Sequence, residues 1–513
     1  MLPVLATLAV GLLAGAGLAQ RADDTIVVAM EAEIPNLDPA QLLGLHSIRA
    51  IRLVTETLVA PKPTTTEIVP LLATSWTVSA DGLQWTFKLR PNVRFHDGTP
   101  FTAEAVKYTF DRVIDKNHPA YGLGKWSFLV AYLAPLRTVE VVDSLTVRLH
   151  LKYPNSALLE YLALPNAGII SPTAQQKLGK DLASQPVGTG PYTFKAWQRG
   201  VKLTLERNDA YWGTKGKAKS IIFRGIPEDQ TRVAELLAGN VDVIIPVHPD
   251  ALAQVESNRN TALIRQRGLT FWYVALNIQK APFNDVRIRQ ALNYAVNKEA
   301  IVRDVLKGTG IVATQPVPPS SWGFAPDAPS YPYNPQKARQ LLAEAMYPNG
   351  FPATFWVPDS GSGMQLPKEM STVIQANLAA VGIQAKIEIF EWGSYLGRLR
   401  GEKPDMAALS WFLKTDDPDV ALYPVVHSQA VPLPNRSGYS NPEVDRLLLA
   451  ARATADRAKR AEAYKQVIRI VNREIPWIAV DHQMEIVGVR RSVRGVTMNP
   501  NGFYLGVETA YHQ

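Results

Sequence analysis

The prediction of the fold begins with residues 71–113, LLATSWTVSADGLQWTFKLRPNVRFHDGTPFTAEAVKYTFDRV. Within it, Trp85, Phe87 and Leu89 alternate with polar residues, and this period of two predicts a half-buried strand. Thr102 is expected to cap a helix, because apolar residues then recur every three or four positions. The stretch therefore predicts strands that pack against one face of an amphipathic helix.

The rest of the chain repeats this mixture of strands and helices. Short apolar or alternating runs predict strands, and Asn-Pro pairs or an Asp before apolar stripes predict helix starts. Interleaved strands and helices over this length indicate α/β lobes rather than a sandwich or a bundle. The predicted strands include 26–30, 201–205, 383–389 and 477–480, and the predicted helices include 285–308 with a break near 297, those that begin at 334 and 441, and 456–472.

The composition is that of a large globular protein. A chain of 513 residues suggests about three domains or two large lobes, and 46% hydrophobic with 19% charged residues argues against a disordered or polytopic membrane protein. The net charge of +8 is spread along the chain, so it does not indicate a nucleic-acid partner. The absence of cysteine excludes disulfides, thiolate metal sites and cysteine nucleophiles.

The N-terminal residues 1–19 are uncharged and rich in Leu, Ala and Gly. Gly17 and Ala19 fit the −3 and −1 positions of a cleavage site, so we expect a signal peptide that directs export to the periplasm. An uncleaved membrane anchor is the alternative. No later window holds about 18 uncharged apolar residues, the length that a spanning helix needs.

Reaction signatures are missing from the sequence. It contains no phosphate-binding loop, no dinucleotide fingerprint, no HExxH and no GxSxG motif. The eight His residues are scattered, and no pair has the spacing of metal ligands on one helix turn. The GTG at 188–190 is followed by Pro191, which lacks the amide donor of a phosphate loop, so a turn is expected there. The missing signatures lower the expectation of an enzyme but do not exclude one, since a triad can assemble from distant positions. We expect no catalytic residue, no metal and no cofactor.

The stretch 71–113 resembles the signature region of the family 5 extracellular solute-binding proteins, the peptide/nickel-type receptors of ABC importers. The resemblance continues in the same order through PVGTGPYTFKAW (186–197), NIQKAPFNDVRIRQALNYAVNKEAIV (277–302) and VGIQAKIEIFEWGSYL (381–396), and it covers 25–510. Judged by EWGSYL and its flanks, the sequence is most similar to the dipeptide-binding receptors of this family.

The resemblance implies a two-lobed α/β periplasmic-binding-protein fold, of the large type with an extra subdomain inserted in lobe I. A solute would bind in the cleft between the lobes, and closure would bury it. The chain would cross between the lobes twice. The implied bounds are 1–19 for the signal peptide, 25–268 plus 485–513 for lobe I with the insert at about 55–185, 269–484 for lobe II, and 268–277 and 481–495 for the two crossings.

The resemblance also implies where a solute would be held. In the dipeptide receptors an arginine binds the peptide carboxylate and an aspartate binds the free amine, and these positions fall on Ser362 and Lys414. Neither residue matches, and Lys414 reverses the local charge, so an anion would be attracted there and an ammonium group repelled. We therefore expect a carboxylate-bearing or acidic solute rather than a free dipeptide. The alternative is an alignment shift of one to three residues, with Asp416 or Asp417 then binding the amine.

The predicted ligand-binding residues come from both sides of the expected cleft. For His46 a capping or core role, and for Trp411 a core role, stay open beside a ligand contact. Asp417 and its successors also fit a turn and a helix start. The full set is Gly44, Leu45, His46, Ser362, Met364, Trp411, Phe412, Lys414 and Asp417.

The sequence therefore predicts a periplasmic solute-binding receptor that captures a peptide-like or other small organic solute, preferably an anionic one, and delivers it to the permease subunits of an ABC importer. It would not be an enzyme, and it would reach the membrane only through the permease. Receptors for an opine, a glutathione-like molecule, a nickel chelate or a sugar acid are alternatives within the class. A secreted hydrolase with a triad assembled from distant residues, and a sensor or chaperone module, are the alternatives outside it.

Overall fold

The computed structural model describes residues 24–42, 44–124, 129–130, 133–361, 363–413, 415–432 and 434–513. A mixed sheet of eleven strands runs through both halves of the molecule. From one edge to the other its strands are Gln384–Phe390, Pro352–Pro358, Met406–Phe412, Thr261–Leu276, Trp477–Arg490, Val243–Ile245, Thr25–Met30, Ser220–Gly225, Lys202–Arg207 and Tyr192–Gln198, and Gly310–Val312 also pairs with Trp477–Arg490.

Two long antiparallel strands, Thr261–Leu276 and Trp477–Arg490, connect the halves, and we call them the crossing strands. Their register shifts between Arg267 and Thr270, and a Cβ on Gly268 would lie 2.1 Å from the carbonyl oxygen of Gln483. Only glycine allows the two backbones to approach this closely. Each crossing strand begins before the predicted crossing and ends within it, and the numerical domain bounds remain a prediction.

Lobe I, as we use the term, is the half that contains Thr25–Met30. This strand pairs in parallel with Ser220–Gly225 and with Val243–Ile245, and its residues are buried on both faces. Residues near the chain end, among them Met498 and Phe503, are buried in the same core. The helices of this half are Leu45–Ile51, Asp229–Ala238 and Leu252–Ser257, and the terminal strand pairs are Val493–Arg494 with Tyr511–His512 and Thr497–Met498 with Leu505–Gly506.

The quoted stretch lies in a separate layer inserted into lobe I. Its alternating residues Trp85, Phe87 and Leu89 are buried in a core of their own, as the period of two predicts. Thr102 precedes the helix but accepts no capping hydrogen bond from it, contrary to our expectation. The insert contains the sheet Ala73–Val78, Gln84–Leu89, Thr146–Leu151 and Leu136–Asp143, the pair Val59–Pro61 and Ile68–Pro70, and helices Ala103–Ile114, Leu158–Leu162 and Pro172–Leu178.

Lobe II, the half that contains Pro352–Pro358, covers both faces of its part of the sheet with helices and two buried cores. Its helices begin where side chains cap them: Asn334, Asn441 and Asp456 each accept a hydrogen bond from the first turn. The helices are Val286–Ala295, Lys298–Ala300 continued by the wider turn Ile301–Val305, Pro335–Glu344, Pro367–Ala379, Trp392–Arg398, Pro418–Val426, Pro442–Arg452 and Arg457–Glu474.

Short 3₁₀ turns connect several of these elements, at Pro39–Gln41, Tyr121–Leu123, Pro165–Ala167, Gly179–Ala183, Pro249–Ala251 and Ser428–Ala430. Within the ranges given above, none of the helices has both the length and the apolar character needed to cross a membrane.

Candidate ligand-binding site between the lobes

The predicted residues of lobe I lie at the start of helix Leu45–Ile51. Gly44 is extended and precedes the first turn, and Leu45 is buried. His46 is half-buried, with its Nδ1 atom 4.0 Å from Oε1 of Glu31. Burial lowers the pKa of His46, and the nearby Glu31 opposes this shift. Burial therefore favours the neutral imidazole of His46 at the start of this helix.

A buried arginine connects helix Leu45–Ile51 to the second crossing strand, Trp477–Arg490. Arg49 lies 3.4 Å from Glu31 and 3.7 Å from Glu485, and its Nε donates to the carbonyl of Gly502 at 3.0 Å. Burial raises the pKa of Glu485, and Arg49 counteracts that shift. Two carboxylates thus lie close to the guanidinium of Arg49, and its charge is already balanced within the protein.

The predicted aromatic residues of lobe II lie at the end of strand Met406–Phe412. Nε1 of Trp411 donates to the carbonyl of Val420 at 2.8 Å, which ties the strand to the next helix. Gly363 has a φ of 71°, and a Cβ there would lie 2.5 Å from the ring of Phe412. The turn before Met364, which is itself buried, therefore packs directly on Phe412.

The two sets of residues meet between the lobes. Phe412 packs against the lobe I core, which includes Leu45, and Val420 of lobe II is buried in that same cluster. Residues on both sides of the predicted cleft are therefore in one contiguous apolar environment. Leu45 and Phe412, which are far apart in the sequence, are thus connected through one buried cluster.

Asp417 has partners inside lobe II. It accepts a hydrogen bond from the backbone N–H of Asp419 at 3.0 Å and so caps helix Pro418–Val426. Its carboxylate pairs with Nη2 of Arg460 at 2.7 and 2.8 Å. Burial raises the pKa of Asp417, and Arg460 is the main influence that lowers it. The helix-start interpretation of this residue agrees with the geometry, and a solute amine would have to compete with Arg460 for the carboxylate.

The expected positions of the two peptide-end anchors, Ser362 and Lys414, lie outside the described residues. The residue that follows Lys414, Thr415, lines a small pocket between the lobes.

A further set of contacts joins the two lobes, and no pattern in the sequence indicates it. The backbone N–H of Ser156 donates to the carbonyl of Arg452 at 3.0 Å, and its hydroxyl reaches either that carbonyl, at 3.0 Å, or the carbonyl of Thr454. The hydroxyl of Tyr161 donates to Oδ2 of Asp419 at 3.1 Å. We call Ser156, Tyr161, Asp419 and Arg452 the interlobe latch.

The lobe II side of the latch is held rigidly. Arg452 binds Asp419 through two hydrogen bonds of 2.8 Å, and its guanidinium lies over the ring of Tyr423. No short motif marks these residues, because their contacts depend on how the lobes dock. A second contact between the lobes, Lys307 with Asp250 at 2.7 Å, joins two half-exposed side chains and contributes little energy.

The described part of the chain contains no group of three or more metal-binding side chains that could hold an ion. Apolar contacts and hydrogen bonds join the two lobes, and the charges of the buried Arg49, Arg452 and Arg460 are paired with carboxylates. This arrangement suits the binding of a small molecule in a cleft that closes around it.

Comparisons with known proteins match this architecture. The family described as bacterial extracellular solute-binding proteins, family 5 (middle part), matches residues 67–432. A heme-binding protein A of Haemophilus influenzae is 35% identical over 462 residues, which cover 87% of this chain and 84% of that protein.

Solved structures agree over nearly the whole chain. An ABC transporter-associated periplasmic binding protein of Helicobacter pylori, in complex with the peptide STSA, superposes with a TM-score of 0.84 at 31% identity and covers 95% of this chain and 98% of its own. A dipeptide-binding protein of Pseudoalteromonas in complex with Met-Leu gives 0.86 at 27% identity, over 95% and 100%. The predicted two-lobed α/β fold and the predicted function as a solute-binding receptor of an ABC importer are confirmed, and the hydrolase alternative finds no support. The chain belongs to the family 5 bacterial extracellular solute-binding proteins.

Proposed function

We propose that this protein captures a small organic solute that carries a carboxylate, peptide-like or otherwise, between its two lobes and delivers it unchanged to the permease subunits of an ABC importer. The observation that carries the proposal is that residues of both lobes, at the positions where a solute is expected, meet in one cluster beside the interlobe latch. A molecule enclosed there would contact both lobes at once.

Capture by closure follows from the position of the latch. Its hydrogen bonds join residues of different lobes, so they exist only when the lobes are together. A solute that contacts both walls binds the closed form better than the open form, and it therefore shifts the population toward closure. The permease then has a closed, loaded form to recognise.

The solute class rests on charge. Lys414 replaces the aspartate that binds the amine in the dipeptide receptors, and it directly precedes Thr415, which lines the interlobe pocket. A lysine at this position favours an anionic group. Relatives are described with heme, the peptide STSA or the dipeptide Met-Leu, so the family's fold accepts solutes of different shapes.

We further propose that residues 1–19 are removed on export and that the mature protein acts in the periplasm as a binding protein with no catalytic residue. The family is extracellular by its description, and the first 19 residues are uncharged. An intact Met1 in the exported protein would contradict the removal.

The decisive experiment identifies what the protein carries. The protein is isolated from its native host, and small molecules released by mild denaturation are identified by mass spectrometry. The same compound is returned to ligand-free protein, with small-angle scattering and thermal unfolding as readouts. We expect compaction, a higher Tm and quantitative recovery of the unchanged compound. Consumption of the compound, or stabilisation without compaction, would overturn the proposal.

A further inference from the structure

A small pocket lies where helix Leu158–Leu162 of lobe I faces Thr415 of lobe II. About 10 Å³ is open to the centre of a water-sized group, so the pocket admits at most one group the size of a water molecule or an ammonium head. Lobe I supplies most of its lining, including Pro61, Ile68, Glu160, Asn501 and Tyr504, and lobe II supplies Thr415. The pocket is therefore completed only when the two lobes meet.

Glu160 is the charged residue of this lining. Its Oε2 atom is shielded from solvent and has no hydrogen-bond partner, while the carboxyl group also interacts with the side chain of Thr415. A buried acceptor without a donor is costly, and the cost is larger when the group is charged. The pocket thus contains an unsatisfied acceptor at a place that accommodates a small donor.

Among the described residues around Glu160, the carboxyl groups outnumber the cations. Asp416 and Asp417 influence it from lobe II; Arg460 pairs with Asp417, and Arg457 is the nearby positive charge for Asp416. Burial and Asp417 raise the pKa of Glu160 to about 8. Against these two arginines stand three carboxyl groups within the described residues. Ionisation of Glu160 would therefore leave one negative charge without a counterion, and a cation that entered the pocket would favour that ionisation.

We propose that Glu160 receives an ammonium group of the solute and so helps to determine which solutes the cleft selects. The inference rests on the proposed function and adds to it, because it assigns a positive group to a solute whose negative group is expected near Lys414. An ammonium group matches the pocket in size, in charge and in its ability to donate to Oε2. A metal ion fits less well, since no described cluster here supplies three metal-binding side chains.

The test uses methylammonium chloride as the probe with the full-length mature protein at pH 8.5. Binding is measured by thermal shift against equal concentrations of sodium chloride and tetramethylammonium chloride, which cannot donate a hydrogen bond. We expect methylammonium alone to stabilise the protein beyond the salt effect, and Glu160→Gln to weaken its apparent Kd by about tenfold, the loss of one charge-assisted hydrogen bond. Glu104→Gln, an exposed glutamate on another helix of the insert, is the matched control.

A second measurement does not depend on the variant folding. Carboxyl ¹³C NMR of the wild-type protein should show that methylammonium lowers the pH at which Glu160 titrates. Equal stabilisation of wild type and Glu160→Gln, or no effect beyond sodium chloride, would overturn the proposal. An effect that appears only in Lys414→Met would also overturn it, because this lysine would then be the resident cation. Failure of the proposed function is separate, since it would appear as the absence of compaction with the native compound.

Discussion

Removing the hydroxyl of Tyr161 should shift the protein toward its open form without unfolding it. The hydroxyl donates to Asp419 across the lobes, whereas the ring packs in the lobe I core and is retained by Tyr161→Phe. Asp419 keeps its two hydrogen bonds from Arg452 in the variant, so no buried carboxylate loses its charge partner. The substitution therefore acts on the contact between the lobes.

The magnitude follows from the kind of bond that is lost. A hydrogen bond to a charged group contributes about 1.5–3 kcal/mol, and water partly replaces it in the open form, so we take the lower end. A loss of about 1.4 kcal/mol reduces the ratio of closed to open protein about tenfold. Ser156→Ala should have a smaller effect, about fivefold, because the backbone N–H of Ser156 still donates to Arg452. The two effects should not simply add, since Ser156 donates to Arg452 and Arg452 in turn binds Asp419, the partner of Tyr161.

The absence of cysteine makes the assay direct. Val201 of lobe I is 59% exposed and Met346 of lobe II is 84% exposed, so cysteines introduced at these two positions can carry a fluorophore pair. Single-molecule energy transfer then reports the closed fraction with and without the native solute. Tyr331→Phe is the matched control, because its hydroxyl donates to Asn472 at 2.8 Å within lobe II.

Unchanged closure in both latch variants would contradict this prediction. If Tyr161→Phe and Ser156→Ala both leave the distribution of distances and the solute affinity unchanged, while Tyr331→Phe gives the same small loss of stability as either, the latch does not contribute to closure. A shift in the closed fraction with no change in the free energy of unfolding would be its clearest confirmation.

Three further outcomes are expected. Lys414→Ala should weaken binding of the native solute about tenfold or more, and Lys403→Ala, at an exposed lysine, should leave the affinity unchanged. Equal binding curves for wild type and Lys414→Ala would show that Lys414 does not bind an anionic group of the solute. Arg460→Met should lower the free energy of unfolding, measured in urea, by about 3–5 kcal/mol, because it leaves the buried Asp417 without its partner. Arg446→Met, at an exposed ion pair, should lower it by under about 1 kcal/mol, and similar losses in the two variants would contradict the prediction. Burial raises the pKa of Glu56 to about 7, so between about pH 4.5 and 7 the folded form keeps a proton that the unfolded form has released. The free energy of unfolding should therefore fall by about 3 kcal/mol as the pH rises across that window. In urea unfolding, Glu56→Gln should lack this part of the pH dependence, and a pH dependence equal to that of wild type would contradict the prediction.

Local chemistry explains what could be predicted from the sequence. Asn334 and Asn441 were expected to start helices, and each accepts a hydrogen bond from a backbone N–H in the first turn. The helix predicted for 456–472 is observed as Arg457–Glu474, capped by Asp456. The break expected near 297 is real, because the side chain of Asn297 caps the second segment. These features depend on neighbours within a few residues, which a sequence displays directly.

The crossing strands show where such prediction ends. Only residues 477–480 of the strand Trp477–Arg490 were predicted, since Asp481 and His482 interrupt the apolar pattern. Both are nevertheless buried, and long-range pairing with Thr261–Leu276 determines the strand. Burial lowers the pKa of His482 to about 4, so its ring is uncharged in this environment at neutral pH. Tertiary context overrides the local signal here.

The candidate site could be predicted only as two separate groups of residues. The family resemblance placed Leu45 and Phe412 near the cleft, and the structure joins them through one buried cluster. Tyr161 and Asp419 are separated by 258 positions, and nothing in either local sequence indicates that they touch. Contacts of this kind depend on the relative orientation of the lobes rather than on any local pattern.

Arg49 connects the start of helix Leu45–Ile51 to a crossing strand. It lies close to Glu31, which is beside His46, and to Glu485, which belongs to a strand that both lobes share. An incoming anion that drew Arg49 away from Glu485 would leave that carboxylate without its counter-charge. The electrostatic balance of a strand common to both lobes therefore depends on the charge of what enters beside His46.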